Sequence, residues 1–274
     1  MSRTRFEQNL QRMLQELQAY VSQENISVGD AARSTAEKIA DKIYLAHSTS
    51  AKNFVQMCED GASLLSPSAL DGKGIKSLRA DAVERILETS DFVFLYAGAF
   101  SFPSSSCGLL FARSLESDHP DSGSATPFDS GGLVEHFELP NTSETPRDFF
   151  RRHQLPLSEH RNYLSQCLGA LFSDPFDYVL GNGLCHEGPI GLTGGDACRR
   201  STHEVRIPDN VRIRNPHLQA VFAPVRMSLE PQVESLLKWC TSEGFDVVSF
   251  ESDGDNDFAK MKTACIEYLR TKLL

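Results

Sequence analysis

Near the N-terminus, hydrophobic residues recur at the spacing of an amphipathic helix. Between residues 4 and 23 they lie three or four positions apart and would share one helical face: Phe6, Leu10, Met13, Leu14, Leu17 and Tyr20. A second helix is predicted after Ser27 and through Ala40. We expect residues 1–42 to form a helical lead-in that packs on the rest of the chain.

The hydrophobic period then shortens, which indicates strands that alternate with helices. Strands are predicted at Lys42–Ser50, Asp91–Ala97, Gly108–Ala112, Glu204–Pro208 and Leu218–Ala223, and helices at Lys52–Glu59 and Ala80–Ser90. Asp91–Ala97 is the strongest strand pattern, and we expect Gly108–Ala112 to pair beside it. Gly61 is a natural C-terminal cap for the helix before it.

The second half of the chain is predicted to be more helical. Residues 114–127, rich in Ser, Asp, Pro and Gly, indicate a surface loop, and Phe128–Leu133 would close this loop and open a short helix. Helix is predicted over most of Pro146–Leu171, and the tail is predicted as helix Glu230–Ser242, strand Phe245–Phe250 and helix Asp257–Leu273. We therefore expect one domain of mixed α and β elements.

Charge and composition narrow the class of protein. The 274 residues carry a net charge of −10, which argues against a general phosphate-binding surface, although arginine pairs occur at 151–152 and 199–200. No apolar run is long enough for a membrane span, and the N-terminus lacks the apolar core of a signal peptide. The odd count of seven cysteines favours reduced thiols. We expect a cytoplasmic protein that does not bind a membrane.

Several common cofactor and metal sites are excluded by their motifs. No G-x-G-x-x-G follows a predicted strand, and Gly72–Gly74 lacks the rest of a phosphate-binding loop. The spacing of Cys185, His186, Cys198 and His203 matches no regular zinc pattern. No metal is expected.

One stretch suggests a different kind of enzyme. Asp129–Gly132 resembles the nucleophile motif of chymotrypsin-like serine proteases, and Ala46–His47 resembles their histidine motif, with Ser130 as nucleophile and His47 as base. Phe128 stands where that family has glycine. The interval between the two residues is also short for two β-barrels, and the flanking sequence is helical. A serine hydrolase is therefore kept as an alternative only.

A second set of polar residues lies at or near strand ends, in a suggestive order. His47, followed by Ser48 and Thr49, ends the first predicted strand, and Tyr96 lies within the strongest strand. Glu204 begins a third strand, directly after a glycine-rich loop that carries Arg199 and Arg200. A lone carboxylate where a strand leaves a flexible loop is well placed to face a small molecule. Each residue alone is ordinary, and the order of the set is what carries information.

Three stretches carry a family resemblance: Ala46–Thr49 with the helix that follows, Phe92–Tyr96, and Arg199–Val211. Together they resemble ADP-ribosyltransferases of the His–Tyr–Glu type, the diphtheria-toxin and poly(ADP-ribose) polymerase branch, and are similar to DarT-type toxins that modify nucleic acids. The resemblance covers residues 43–225 and leaves 226–274 as a C-terminal helix–strand–helix extension. It implies an α+β fold with a split, mainly antiparallel sheet around an NAD cleft.

The resemblance also implies roles for the residues. NAD would be the co-substrate, with His47 on its adenosine-side ribose, and with Ser48 or Thr49 near nicotinamide. Tyr96 would stack on the nicotinamide ring, and catalytic Glu204 would bind the nicotinamide ribose and stabilise an oxocarbenium-like transition state. Arg199 or Arg200 could pair with the pyrophosphate. Phe128–Leu133 would be a turn that lines the cleft, with Asp129 or Ser130 as a polar contact and no role assigned by the family pattern.

The acceptor is predicted less directly. Arginine-modifying relatives commonly carry Glu or Gln two residues before the glutamate, and Thr202 stands there. This favours a base of RNA or DNA, with another protein side chain as the alternative and Glu187 as an acceptor contact. The expectation is a bacterial or phage-defence toxin with an antitoxin or chaperone partner. In another class, the chain would be a non-catalytic interaction module that kept the fold.

Overall fold

A computed structural model describes residues 3–59, 61–74, 83–100, 105–181, 188–252, 254 and 257–273. Its α-helices are α1 Arg3–Gln23, α2 Asp30–Lys42, α3 Ala51–Glu59, α4 Pro67–Gly72, α5 Val83–Leu87, α6 Ser130–Glu135, α7 Pro146–Arg152, α8 Leu157–Leu171, α9 Phe176–Val179, α10 Ala197–Arg200, α11 Pro231–Glu243 and α12 Asp257–Leu273. Two 3-10 helices span Arg113–Asp118 and Val225–Leu229. The helical lead-in, the mostly helical stretch Pro146–Leu171 (α7 and α8) and the helix–strand–helix tail are confirmed.

The strands are β1 Leu45–Thr49, β2 Ser63–Leu65, β3 Phe92–Ala97, β4 Cys107–Phe111, β5 Ser124–Thr126, β6 Leu155–Pro156, β7 Glu204–Pro208, β8 Asn210–Arg212, β9 Leu218–Pro224 and β10 Asp246–Phe250. Eight of them form one sheet in the order β10-β9-β4-β1-β3-β7-β5-β6, and β2 pairs with β8 separately. Apart from the parallel pair β9–β10, the pairs in both sheets are antiparallel. The predicted α+β class with a mainly antiparallel sheet is confirmed.

The N-terminal helices pack on α8 through small and apolar side chains. Met13 and Leu17 of α1 are buried against Tyr163 and Cys167 of α8. Gly169 of α8 lies so close to α2 that an added Cβ would be 3.4 Å from the Arg33 Cα. The lead-in is therefore part of the packed core.

The expected pairing of Gly108–Ala112 with the strongest strand is wrong. β4 pairs with β1 over its whole length and with β9 on its other side, so β1 lies between β4 and β3. Alternation along a strand predicts its buried face, whereas its neighbours depend on how the chain crosses the sheet. The prediction identified a strand and missed its partner.

The surface loop expected at residues 114–127 is also wrong in part. Its first residues belong to the 3-10 helix, and Ser124–Thr126 is the buried strand β5, which pairs with β7. The strand is only three residues long and contains Ser and Thr, so its composition resembles a loop. Its location beside β7 matters for the site described below.

The C-terminal extension adds a strand to the sheet edge. β10 lies parallel to β9, with α11 and α12 against it and the main core. Gly244, at φ 81°, ends α11 in the left-handed conformation that glycine adopts readily. No helix in the described ranges is long and apolar enough to cross a membrane.

Candidate active site

A cleft of about 510 Å³ opens where two neighbouring strands separate. β1 pairs with β4 at all five of its residues, but with β3 only at Leu45 and Ala46. Beyond Ala46 the two strands diverge, and this divergence is the split in the sheet. The cleft is lined by His47, Ser48, Thr49, Ser50, Asn53, Val83, Glu84, Thr89, Phe94, Tyr96, Ser105, Asp129, Ser130, Gly131, Glu135, Arg199 and Glu204.

Tyr96 and Glu204 are held side by side by strand register. They are direct partners in the antiparallel pair β3–β7, and Thr126 of β5 is the partner of Glu204 on its other side. Partnered residues project to the same face of a sheet. The fold therefore brings together His47, Tyr96 and Glu204, which are far apart in the sequence.

The Glu204 carboxylate is buried and surrounded by donors. Its Oε1 accepts hydrogen bonds from Ser130 Oγ at 2.7 Å and from Arg206 Nη1 at 2.6 Å. Its Oε2 accepts from the Ser130 backbone N–H at 3.1 Å and from the Tyr96 hydroxyl at 3.4 Å. The last contact is long, and it is the one that a hydroxyl group of a ligand could most easily replace.

Burial and charge act in opposite directions on this carboxylate. Burial raises the pKa of Glu204, the guanidinium of Arg206 opposes the rise, and the nearby charge of Asp129 adds to it. Burial also lowers the pKa of Arg206, while the charge of Glu204 raises it. We regard the pair as ionised at neutral pH, because a buried guanidinium with a carboxylate 2.6 Å away keeps its proton.

His47 spans the gap between the diverging strands. Its Nδ1 lies 3.0 Å from the carbonyl oxygen of Phe94, and because a carbonyl can only accept, Nδ1 carries the proton. Burial lowers the pKa of His47, so the ring is neutral and Nε2 is an acceptor. A neutral imidazole fixed in this way can accept a hydrogen bond from a ligand hydroxyl.

A short turn ahead of α6 supplies donors to Glu204. Asp129 caps α6 by accepting the Gly131 N–H at 3.0 Å, and this presents the Ser130 N–H and hydroxyl to the carboxylate. Arg199 Nε donates to Asp129 Oδ2 at 2.5 Å, and the Asp129 N–H donates to the Arg199 carbonyl at 3.1 Å. Arg199 therefore lines the cleft and also stabilises this turn through its two hydrogen bonds with Asp129.

Other predicted site residues are placed differently. Ser48 and Thr49 line the cleft near its His47 wall, and Ser48 Oγ accepts from Ser105 Oγ at 3.0 Å. Arg200 does not line the cleft: its guanidinium donates to the carbonyl oxygens of Gly194 and Gly195. Glu187 lies outside the described residues.

The geometry of Ser130 differs from that of a serine hydrolase. Its hydroxyl donates to Glu204, whereas a catalytic serine is hydrogen-bonded to an imidazole base. The His47 ring instead bonds the Phe94 carbonyl.

Within the described part of the chain, no group of three or more His, Cys, Asp or Glu residues could hold a metal ion, and six free cysteines are present.

Sequence reasoning missed Arg206, and it did not predict that Asp129 and Ser130 act on Glu204. Arg206 had a detectable signal, since it is a charged residue between Val205 and Ile207 in a strand with alternating faces, two positions after Glu204. The signal for the turn was an Asp followed by Ser and Gly before apolar residues, which is typical of a helix start. Arg206 and the turn both contact the Glu204 carboxylate, and this meeting depends on the tertiary structure and cannot be deduced from the sequence.

His203 faces the opposite side of the sheet from Glu204. Its Nδ1 lies 3.0 Å from His160 Nε2, and its backbone N–H donates to the Tyr178 hydroxyl. Arg113 Nη2 in turn contacts His160 Nδ1 at 3.2 Å. This buried set of Arg113, His160, His203 and Tyr178 lies on the other side of the sheet from the cleft.

No family model matches the chain, and no curated protein matches it. Among solved structures, the chain is similar to Thermus sp. 2.9 DarT in complex with NAD+, with a TM-score of 0.41 and 9% sequence identity. The similarity covers 76% of this chain and 95% of the DarT chain.

Proposed function

We propose that the chain is an NAD-dependent ADP-ribosyltransferase. The observation that carries the proposal is the arrangement of His47, Tyr96 and Glu204 around one cleft at the split of the sheet. The cleft of about 510 Å³ is in the size range of sites for ligands of this class. The order of the three residues matches the His–Tyr–Glu pattern described above.

In the proposed reaction, the bond between C1′ of the ribose and N1 of nicotinamide breaks. Nicotinamide leaves with the bonding electron pair, and positive charge develops on the ribose ring. The ionised Glu204 stabilises this charge and accepts a hydrogen bond from a ribose hydroxyl at Oε2. A nucleophile of the acceptor then bonds to C1′ and releases its proton.

The other cleft residues bind and orient NAD. The neutral Nε2 of His47 accepts from a hydroxyl of the adenosine-side ribose, and the Tyr96 ring stacks on nicotinamide. Ser48 or Thr49, both of which line the cleft, binds the amide of nicotinamide. Arg199, which lines the cleft and holds Asp129 through its Nε, pairs with the pyrophosphate.

We further propose a base of RNA or DNA as the acceptor, and a toxin or defence role with an antitoxin partner. This part rests on the DarT-like stretch at Arg199–Val211 and on Thr202. A protein side chain is the alternative acceptor. The net charge of −10 favours that alternative, because it opposes the approach of a polyanion.

The proposal is tested by nicotinamide release from NAD in the wild type and in Glu204→Gln. RNA, DNA and nucleic-acid-free lysate protein are added separately. We expect release in the wild type and a loss of at least about a hundredfold in the variant, as for removal of a main transition-state stabiliser. The additive that becomes labelled identifies the acceptor.

The matched control is Glu251→Gln, an exposed glutamate beyond β10, which should release nicotinamide like the wild type. Absence of release together with absence of NAD binding by calorimetry would reject the transferase and favour the interaction module. Reaction of Ser130 with a fluorophosphonate probe, lost in Ser130→Ala, would favour the serine hydrolase.

A further inference from the structure

Arg206 is buried directly behind the candidate catalytic carboxylate. Its Nε donates to Ser124 Oγ at 3.2 Å, and its Nη1 donates to Thr126 Oγ1 at 3.0 Å and to Glu204 Oε1 at 2.6 Å. Phe150 of α7 covers the guanidinium, with the Arg206 Cζ 4.6 Å from the ring centroid. Three elements therefore fix the position of this side chain.

A buried ion pair of this kind is a poor way to stabilise a fold. Removal of two charges from water costs about as much as their attraction returns, and well-packed apolar residues often serve as well or better. The pair is better explained by what it does to Glu204.

The two carboxylate oxygens of Glu204 accept hydrogen bonds from different sets of donors. Oε1 receives two short bonds, one from the fully buried Arg206, which is not among the cleft-lining residues, and one from the Ser130 hydroxyl. Oε2 receives one backbone donor and the 3.4 Å contact of Tyr96, on the cleft side. Without Arg206 the carboxylate would lose its strongest bond on the interior side and could rotate.

We propose that Arg206 is a positioning residue that holds Oε1 of Glu204 from behind, so that Oε2 meets the ligand in the cleft and the carboxylate keeps its charge. The inference rests on the proposed function for its catalytic consequence. Its effect on the charge and orientation of Glu204 is independent of which ligand binds.

The other charged and titratable groups near the pair do not replace this cation. Tyr96 on β3 is a protonated phenol, because its pKa is raised, first by burial and then by the charges of Asp129 and Glu204. Asp129 is negative and is paired with Arg199. His160 of α8 is neutral, since burial lowers its pKa. Arg206 is the cation in contact with Glu204 among the described residues.

The test is the pH dependence of nicotinamide release in the wild type, Arg206→Lys and Arg206→Gln. In Arg206→Gln we expect the acid limb of kcat to move to higher pH by about one unit or more, since an adjacent opposite charge lowers a carboxyl pKa by roughly 1–3 units. We expect kcat to fall by roughly tenfold to a hundredfold through misplacement of the carboxylate, with a smaller change in KM. Arg206→Lys, which keeps the charge, should restore the acid limb and only part of kcat.

Arg113→Gln is the matched control. Arg113 is another buried arginine paired with a buried glutamate, Glu116, at 2.8 Å, on the opposite side of the sheet. Its loss should lower stability in a similar way and leave the acid limb unchanged. A shift of equal size in Arg113→Gln would mean that general destabilisation explains the result, and it would overturn the proposal.

A readout without catalysis separates this proposal from the proposed function. The carboxyl carbon of Glu204 is followed by NMR in protein with 13C-labelled glutamate, and its signal is assigned by comparison with Glu204→Gln. The titration is recorded for the wild type and for each of Arg206→Lys and Arg206→Gln that folds. We expect Glu204 to titrate at higher pH in Arg206→Gln, and its signal to move in Arg206→Lys because an ammonium cannot reproduce the contacts of the planar guanidinium with Glu204, Ser124 and Thr126. Unchanged titration and chemical shift would overturn the role of Arg206, even if the wild type cleaves NAD. If the wild type fails to cleave NAD, the NMR titration still decides the inference.

Discussion

At the residue scale, a few hydrogen-bond donors fix one carboxylate in the cleft. Glu204 Oε1 accepts two short bonds, whereas Oε2 accepts one backbone bond at 3.1 Å and the long Tyr96 contact at 3.4 Å, which a ligand could replace. Tyr96 contributes a ring and a hydroxyl, which can be separated by substitution. Since the hydroxyl contact is 3.4 Å long, the ring should carry most of its contribution.

We therefore expect Tyr96→Phe to bind NAD nearly as well as the wild type, within about threefold. Tyr96→Ala should bind at least about fivefold more weakly, because loss of one aromatic stacking partner removes roughly 1 kcal/mol or more. Calorimetric titration of Glu204→Gln carrying each Tyr96 substitution measures this without turnover. Equal loss in both Tyr96 variants would show that the hydroxyl, and not the ring, is what binds.

Sequence reasoning identified residues that stand out in their own strands and missed those that act through a neighbour. His47, Tyr96 and Glu204 are each ordinary alone, but they lie in or at the ends of clear strand patterns, so their order along the chain allowed them to be chosen as a set. Ser130 is one of many serines, and its value comes only from being within 2.7 Å of Glu204. Hydrogen-bond partners far apart in sequence cannot be deduced from periodicity.

At the element scale, the short helix α6 is what delivers the Ser130 donors. Its position is fixed by Asp129 at its start and by the close approach of its glycine backbone to Phe137. A Cβ on Gly132 would lie 2.3 Å from the Phe137 Cζ. Phe137 belongs to a second apolar cluster, with Phe128, Leu133 and Phe149, that packs α6 against α7.

Gly132→Ala should therefore destabilise the protein and weaken the site. We expect a cost of about 1–3 kcal/mol in the free energy of unfolding, because the buried Phe137 ring must move, and a lower rate of nicotinamide release. Urea unfolding and the release assay measure the two effects. Gly72→Ala is the control, since an added Cβ there meets nothing within 4 Å. A neutral result for both variants would show that the Phe137 contact does not hold α6.

Strand pairing shows the limit of prediction at this scale. Alternation correctly located β1, β3, β4, β7 and β9, because each buries one or both faces. The same pattern contains no information on the strand order β4-β1-β3-β7. This order places β1 beside β3, and the cleft opens where these two strands diverge. β5 was missed because it is a three-residue strand whose burial comes from its neighbours.

At the scale of the whole molecule, the sheet separates two buried polar systems. The cleft face carries the Glu204–Arg206 pair, and the opposite face carries Arg113, Glu116, His160 and His203. Arg113 can only donate to His160 Nδ1, so His160 donates from Nε2 to His203 Nδ1, and both rings are neutral. Protonation of either ring would break this chain of hydrogen bonds.

This arrangement predicts that the fold weakens at mildly acid pH. Burial lowers the pKa of His160 and, to a greater extent, that of His203, where the charges of His160 and Arg113 act in the same direction. The unfolded chain then binds protons that the native state does not. Stability is therefore full above the unfolded histidine pKa of about 6.5 and is lost as the pH falls below it.

We expect the free energy of unfolding to fall between pH 7.5 and 5.5, by on the order of 1 kcal/mol from each buried histidine. Urea unfolding at the two pH values measures this in the wild type and in His203→Gln, which keeps an acceptor for His160 and cannot be protonated. The variant should lose part of the pH dependence, whereas the exposed control His136→Gln should keep all of it. The raised pKa of Glu204 acts in the opposite direction, but it is common to all three proteins and cancels in the comparison. If His203→Gln and the wild type show an equal pH dependence, the acid sensitivity arises outside this network. The hydrogen bonds on the side of the sheet opposite the cleft would then not depend on a neutral His203.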